Sequence, residues 1–218
     1  MAGRHTFREE LERLHQDLLT MGSLVETAIH LSVKSLTDRD LVLAEKVIND
    51  DDAIDNLNLS IERDCFRLIA LQQPMARDLR RIGTVLKVVT DLERMADNAV
   101  SIAKSTIRLK DETYVKQLID IPKMAVLAKA MVHDALSAYI HMDTEKSYQV
   151  GKSDDAVDRL YKEIYNELLE IMRNKPDTIN QCTQFLFVAH SLERIADHAT
   201  NLAEWVIYLV TGKIEDLN

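Results

Sequence analysis

Glycine and proline are scarce in this chain, at five and three residues out of 218. They supply much of the chemistry of tight turns, so a fold of many short strands is excluded and long uninterrupted elements are expected. Aromatic residues make up only 5%, against 46% hydrophobic and 29% charged residues, the profile of a helical bundle. Long apolar runs are also missing. The longest, 205–210, has six residues, where a membrane span needs about 18–20. The first ten residues are charged and hold no apolar signal core, so neither export nor membrane insertion is expected. There are two cysteines, Cys65 and Cys182, at no metal-ligand spacing and under no need to pair. A reducing cytoplasm fits them. Basic charge is in deficit, with a net charge of −9, which argues against a nucleic-acid partner because phosphate backbones call for a basic footprint.

What the chain does have is a repeat. Leu92-Glu93-Arg94-Met95-Ala96-Asp97-Asn98-Ala99 returns as Leu192-Glu193-Arg194-Ile195-Ala196-Asp197-His198-Ala199. Met21 and Asp51-Asp52-Ala53-Ile54-Asp55 likewise match Met124 and Asp154-Asp155-Ala156-Val157-Asp158, at an offset of 103 that becomes 100 by the second motif. The difference falls in one loop: seven residues separate Ile69 from Arg77, and four separate Met172 from Asp177. Two structurally equivalent halves follow.

Each half reads as three helices. Leu11, Leu14, Leu18, Met21, Val25, Ala28, Ser32 and Leu36 recur at helical spacing. Asp38 or Asp40 caps a second helix that runs to about Ala70, where Gln72-Gln73-Pro74 breaks it. Pro74 can sit in the first turn of a third helix, which ends near Lys110. Pro122 opens the second half, Asp143-Thr144 starts its middle helix, and Pro176 starts a last helix that ends at Gly212. The expected fold is all-α: a tandem duplication of an antiparallel three-helix bundle, over 6–110 and 121–212, the two packed together.

Residues four apart share one helix face, so Glu93/Asp97 and Glu193/Asp197 are paired carboxylates. The middle helices add Asp51/Asp55 and Asp154/Asp158. If the pairs face one another, four hard oxygen donors converge in each half, a set suited to Mg, Ca, Mn or Fe. One such pair alone is an ordinary solvated helix face, or an acid favoured near a helix start; four, matched across a duplication, favour a site. His190 shares the face of Glu193 and Asp197, and His198 points elsewhere; a histidine near a core is more often packed than ligating. Arg94 and Arg194 could tie up the acids in surface ion pairs of small value. The methionines read as core filler. Residues 72–80 read as a capped helix start or as a contact surface.

The pattern as a whole resembles the PhoU family of phosphate-uptake regulators. The resemblance spans nearly the whole chain and rests on the duplicated three-helix plan, on Gln72-Gln73-Pro74 with Asp78-Leu79-Arg80, and on both Leu-Glu-Arg-x-Ala-Asp segments. The family's usual form is Leu-Glu-Arg-Ile-Gly-Asp; Ala96 and Ala196 replace its glycine, and alanine favours the helix. The resemblance implies multinuclear metal sites, iron or zinc among others, on Asp51, Asp55, Glu93 and Asp97 and on Asp154, Asp158, Glu193 and Asp197. It implies a non-enzymatic adaptor that restrains phosphate uptake and represses the starvation response when phosphate is plentiful. Such an adaptor bridges the ATPase of the phosphate ABC transporter, PstB, and the sensor kinase PhoR. Self-association is left open. The competing readings are an all-α metal-dependent hydrolase, such as a Mg-dependent nucleotide pyrophosphohydrolase, a ferritin-like carboxylate protein, and a helical protein with no ligand. The hydrolase lacks a visible phosphate-gripping basic set. The ferritin-like reading wants Glu-x-x-His on two helices, and only Glu12/His15 matches.

Overall fold

A computed structural model of the chain describes residues 2–217, with side chains from Phe7 onward. Six helices run in order: α1 Ala2–Asp38, α2 Leu41–Gln72, α3 Arg77–Arg108, α4 Asp120–His141, α5 Thr144–Asn174 and α6 Ile179–Thr211. A 3-10 turn at Pro176–Thr178 leads into α6, and no strand occurs among the described residues.

The stops and starts have local causes. Asp40 caps α2, its carboxylate accepting from Leu43 N at 2.9 Å, and Asp143 caps α5 by accepting from Lys146 N at 3.0 Å. Each satisfies a backbone donor that the helix leaves unpaired. Gly212 closes α6 at φ +77°, where a side chain would be strained. Pro74 departs from expectation. Gln73 ends α2 in the left-handed region (φ 45°), and Ala76 turns the chain at φ 47° before α3 begins at Arg77. The proline therefore lies in the linker, outside the helix, and a non-glycine residue carries the left-handed turn at a cost of roughly 1–2 kcal/mol.

α1–α3 form one bundle and α4–α6 the other. The halves join through α3 against α6 and, less extensively, α1 against α4. Across the first seam, Lys87 lies over the Trp205 ring, Asp91 meets His198, and Arg108 meets Gln184. The numbers run in opposite senses, so α3 and α6 are antiparallel and their two acid motifs lie side by side at mid-seam. Ala96, Ala99 and Ala103 are buried on α3, as are Ala196, Ala199 and Ala203 on α6. Small residues of this kind allow close approach of helix axes. Larger side chains fill the space around them. Ile82, Leu92, Met95 and Phe185 are wholly out of solvent, each contributing about 1.5–3 kcal/mol relative to exposure. The methionines are not all filler: Met75, at the tip of the α2–α3 linker, is 81% exposed.

Candidate metal centres

The carboxylates lie within electrostatic reach of one another where the repeat places them. α2 packs against α3 and α5 against α6. Asp51 feels the charges of Asp55, Asp97 and Glu93, and Asp154 those of Asp197, Asp158, Glu193 and its neighbour Asp155. All eight predicted residues therefore fall into two groups of four, one per half. Neither group borrows a carboxylate from the other bundle.

Clustering shows in their titration. Burial first, then the neighbouring carboxylates, pushes Asp51 up to about 6 and Asp154 likewise to about 6. Glu93 is raised by burial and by Asp97, Asp55 and Glu62, with Arg94 opposing. Glu193 and Asp197 are raised by burial, and Arg194 opposes in both cases. Desolvation and like charge both disfavour the ionised carboxylate. The second group is the more enclosed: Asp154 is buried at 8% exposure, whereas Asp55 and Asp97 are exposed.

Arginines draw acids of both motifs aside. Arg194 Nη1 lies 2.9 Å from Asp197 Oδ2, and Arg94 lies 3.5 Å from Asp97 and 3.4 Å from Glu93. Among the described residues, no three or more His, Cys, Asp or Glu side chains enclose a single point as metal ligands would. The donor set nonetheless fits a hard cation. Every predicted ligand is a carboxylate, and Glu193 Oε2 is out of solvent without a hydrogen-bond partner. His190 Nδ1 stands 3.1 Å from that oxygen but does not hydrogen-bond to it. A buried carboxylate oxygen without a hydrogen bond is costly, and a cation reached by side-chain rotation would satisfy it.

The histidines divide. His190 is exposed, ion-pairs with Glu193 when protonated, and lies 6.3 Å from the Tyr161 ring. Thr90, its counterpart in the first half, bonds its own helix instead. His198 is a core histidine, buried against Asp91 of α3. His15 of the Glu12/His15 match stacks on Tyr139 at 5.2 Å, on helices that carry none of the paired acids. Sequence reasoning missed Glu62, which adds negative charge to the first group, and Lys104, whose charge opposes it at Asp51. Glu62 lies seven residues beyond Asp55, two turns along one face, which was a readable signal. A groove of about 780 Å³ is lined by α1 residues such as Glu26 and Val33 and by α4 residues such as Pro122 and Lys129. It shares no residue with either carboxylate group.

Comparison with known proteins agrees with this architecture. The PhoU domain family model matches residues 18–106 and again 121–206. A phosphate-specific transport system accessory protein PhoU homolog of Clostridium acetobutylicum is 48% identical over 216 residues, covering 99% of both chains. One from Aquifex aeolicus is 42% identical, covering 94% of this chain and 93% of that protein. The crystal structure of PhoU from Pseudomonas aeruginosa superposes with a TM-score of 0.92 at 38% identity, over 95% of this chain and 100% of that one. The duplicated bundle, its paired acid motifs and these likenesses together make the chain a member of the PhoU family.

Proposed function

We propose that this protein is a phosphate-transport accessory protein that restrains phosphate uptake and represses the phosphate-starvation response. It acts in the cytoplasm as a metal-binding adaptor between the transporter ATPase, PstB, and the sensor kinase, PhoR. Relatives named as accessory proteins of the phosphate-specific transport system support the transport role. No helix among the described residues is long and apolar enough to cross a membrane, so the reading joins the chain to the transporter through protein contacts.

The observation that carries the metal reading is the matched pair of carboxylate groups. In each, burial and neighbouring acids raise the middle-helix aspartate toward neutrality. A bound cation lowers that repulsion and supplies positive charge at the groove between a middle and a third helix. Asp51, Asp55, Glu93 and Asp97 would hold it in the first half, and Asp154, Asp158, Glu193 and Asp197 in the second. The carboxylates then fix α2 to α3 and α5 to α6, which orders the surfaces offered to partners. Nothing in this role calls for turnover.

Two measurements test the reading. Elemental analysis of protein purified without chelator should find iron, zinc, manganese or another divalent or trivalent cation. Tagged protein should recover PstB and PhoR from cells grown in high phosphate. Recovery of both partners with no metal would overturn the metal part; metal without either partner would overturn the adaptor part.

A further inference from the structure

A second polar feature lies away from the acids, at one end of the seam between the halves. Four helices contribute: His15 from α1, Arg81 from α3, Tyr139 from α4 and Leu209 from α6 line a cavity of about 460 Å³. Arg8 and Glu12 also line it, so two guanidiniums face one carboxylate in a chain whose net charge is −9.

The donors in this cavity are unspent on any described residue. Among the described residues Arg81 makes no ion pair or hydrogen bond and the Tyr139 hydroxyl makes no hydrogen bond, although the Tyr139 ring is buried. The Arg81 charge reaches both the His15 imidazole and the Tyr139 phenol, which places the three groups together. Burial, with Arg81 second, lowers the His15 pKa. Burial pushes Tyr139 up to about 12. Both therefore stay neutral near pH 7, each with a proton to donate. A half-buried arginine with neutral donors beside it is the arrangement that binds an oxyanion.

We propose that this cavity binds a phosphoryl group, held by Arg81, His15 and the Tyr139 hydroxyl, with Arg8 at the rim. The charge and the donors specify an anion. The choice of phosphoryl over carboxylate rests on the phosphate-regulatory reading above. The apolar wall of Leu11, Leu14, Val85 and Leu209 also accommodates the organic part of a small phosphate ester. Because α1 and α3 belong to one bundle and α4 and α6 to the other, an occupant touches both halves at once.

The test is calorimetric titration of the full-length chain with inorganic phosphate and, separately, with adenosine monophosphate. Binding of at least one is expected, weakened at least about tenfold by Arg81→Gln and severalfold by Tyr139→Phe. Tyr139→Phe deletes a hydroxyl that bonds none of the described residues and keeps the buried ring, so the packing survives even if Arg81→Gln fails to fold. Preference for the free ion or for the ester identifies the source. Phosphate attached to a cation in the carboxylate groups would be indifferent to both substitutions. That indifference, or the failure of both anions to bind, overturns the proposal. Recovery of PstB and PhoR needs neither substitution, so the regulatory reading and this site fail separately.

Discussion

His198 Nδ1 lies 2.9 Å from Asp91 Oδ1, joining α6 of one half to α3 of the other, with only 11% and 13% of the two side chains exposed. Asn201 approaches the same aspartate oxygen at 3.4 Å. A buried polar pair costs little while intact and much when halved. Asp91→Ala should therefore lower stability by about 1–3 kcal/mol, read from urea denaturation midpoints. The double variant Asp91→Ala/His198→Ala should cost less than the sum of the two single changes. Strict additivity would mean that the pair does not couple the halves.

The raised carboxylates set a sign for the pH dependence. Asp51 and Asp154 hold their protons to about pH 6 when folded, against an ordinary value of 3.8. Between those limits the folded chain binds more protons than the unfolded one, so stability falls as pH rises and stays lower above the window. After solvent screening the loss is on the order of 1 kcal/mol per group. Chelator-treated Asp154→Asn should show a flatter profile from about pH 4 to 6 than the unsubstituted chain, and a higher melting temperature at neutral pH. A steeper profile would contradict the assigned cause.

Metal content and folding should separate. Asp97→Asn combined with Asp197→Asn should reduce bound metal, measured by elemental analysis, and leave helical circular dichroism nearly intact. These two acids are the ones paired with Arg94 and Arg194, and their helices are held by the core beneath. If both signals fall together, the acids serve folding and the site is not separable from it.

Two glycines should respond in opposite directions. A Cβ at Gly212 would be strained at φ +77° and would collide with Arg80 Nη1. Gly212→Ala should cost roughly 1–2 kcal/mol or more. Gly83 lies inside α3 with nothing within 4 Å of an added Cβ, so Gly83→Ala should stabilise by about 0.5–1 kcal/mol. Melting curves of the two variants decide it.

Much of this was legible in the chain itself. Helical spacing of apolar residues, the caps Asp40, Asp143 and Gly212, and the repeat together specify six helices in two halves. Four-residue spacing placed each carboxylate pair on one face. What escaped depends on contacts between elements. Comparing the halves draws attention to matched residues, and Asp91 and His198 align with Ser191 and Asn98, so neither stood out. The place of Pro74 in the linker is not legible because Gln73 and Ala76, which take positive φ there, are not glycines, and nothing local announces that the chain turns. The cavity at the seam was invisible for a related reason: His15, Arg81 and Tyr139 lie on three helices at no common spacing, and only packing joins them.

The α3–α6 seam has a consequence for assembly. A three-helix unit standing alone would present its alanine-lined strip and either Asp91 or His198 to water, and would need a second unit to cover them. Tethering both units in one polypeptide makes that encounter unimolecular, at an effective concentration set by the 109–119 linker. Closure of the shared surface is therefore independent of dilution, and the two acid grooves are always delivered together in a ratio of one to one.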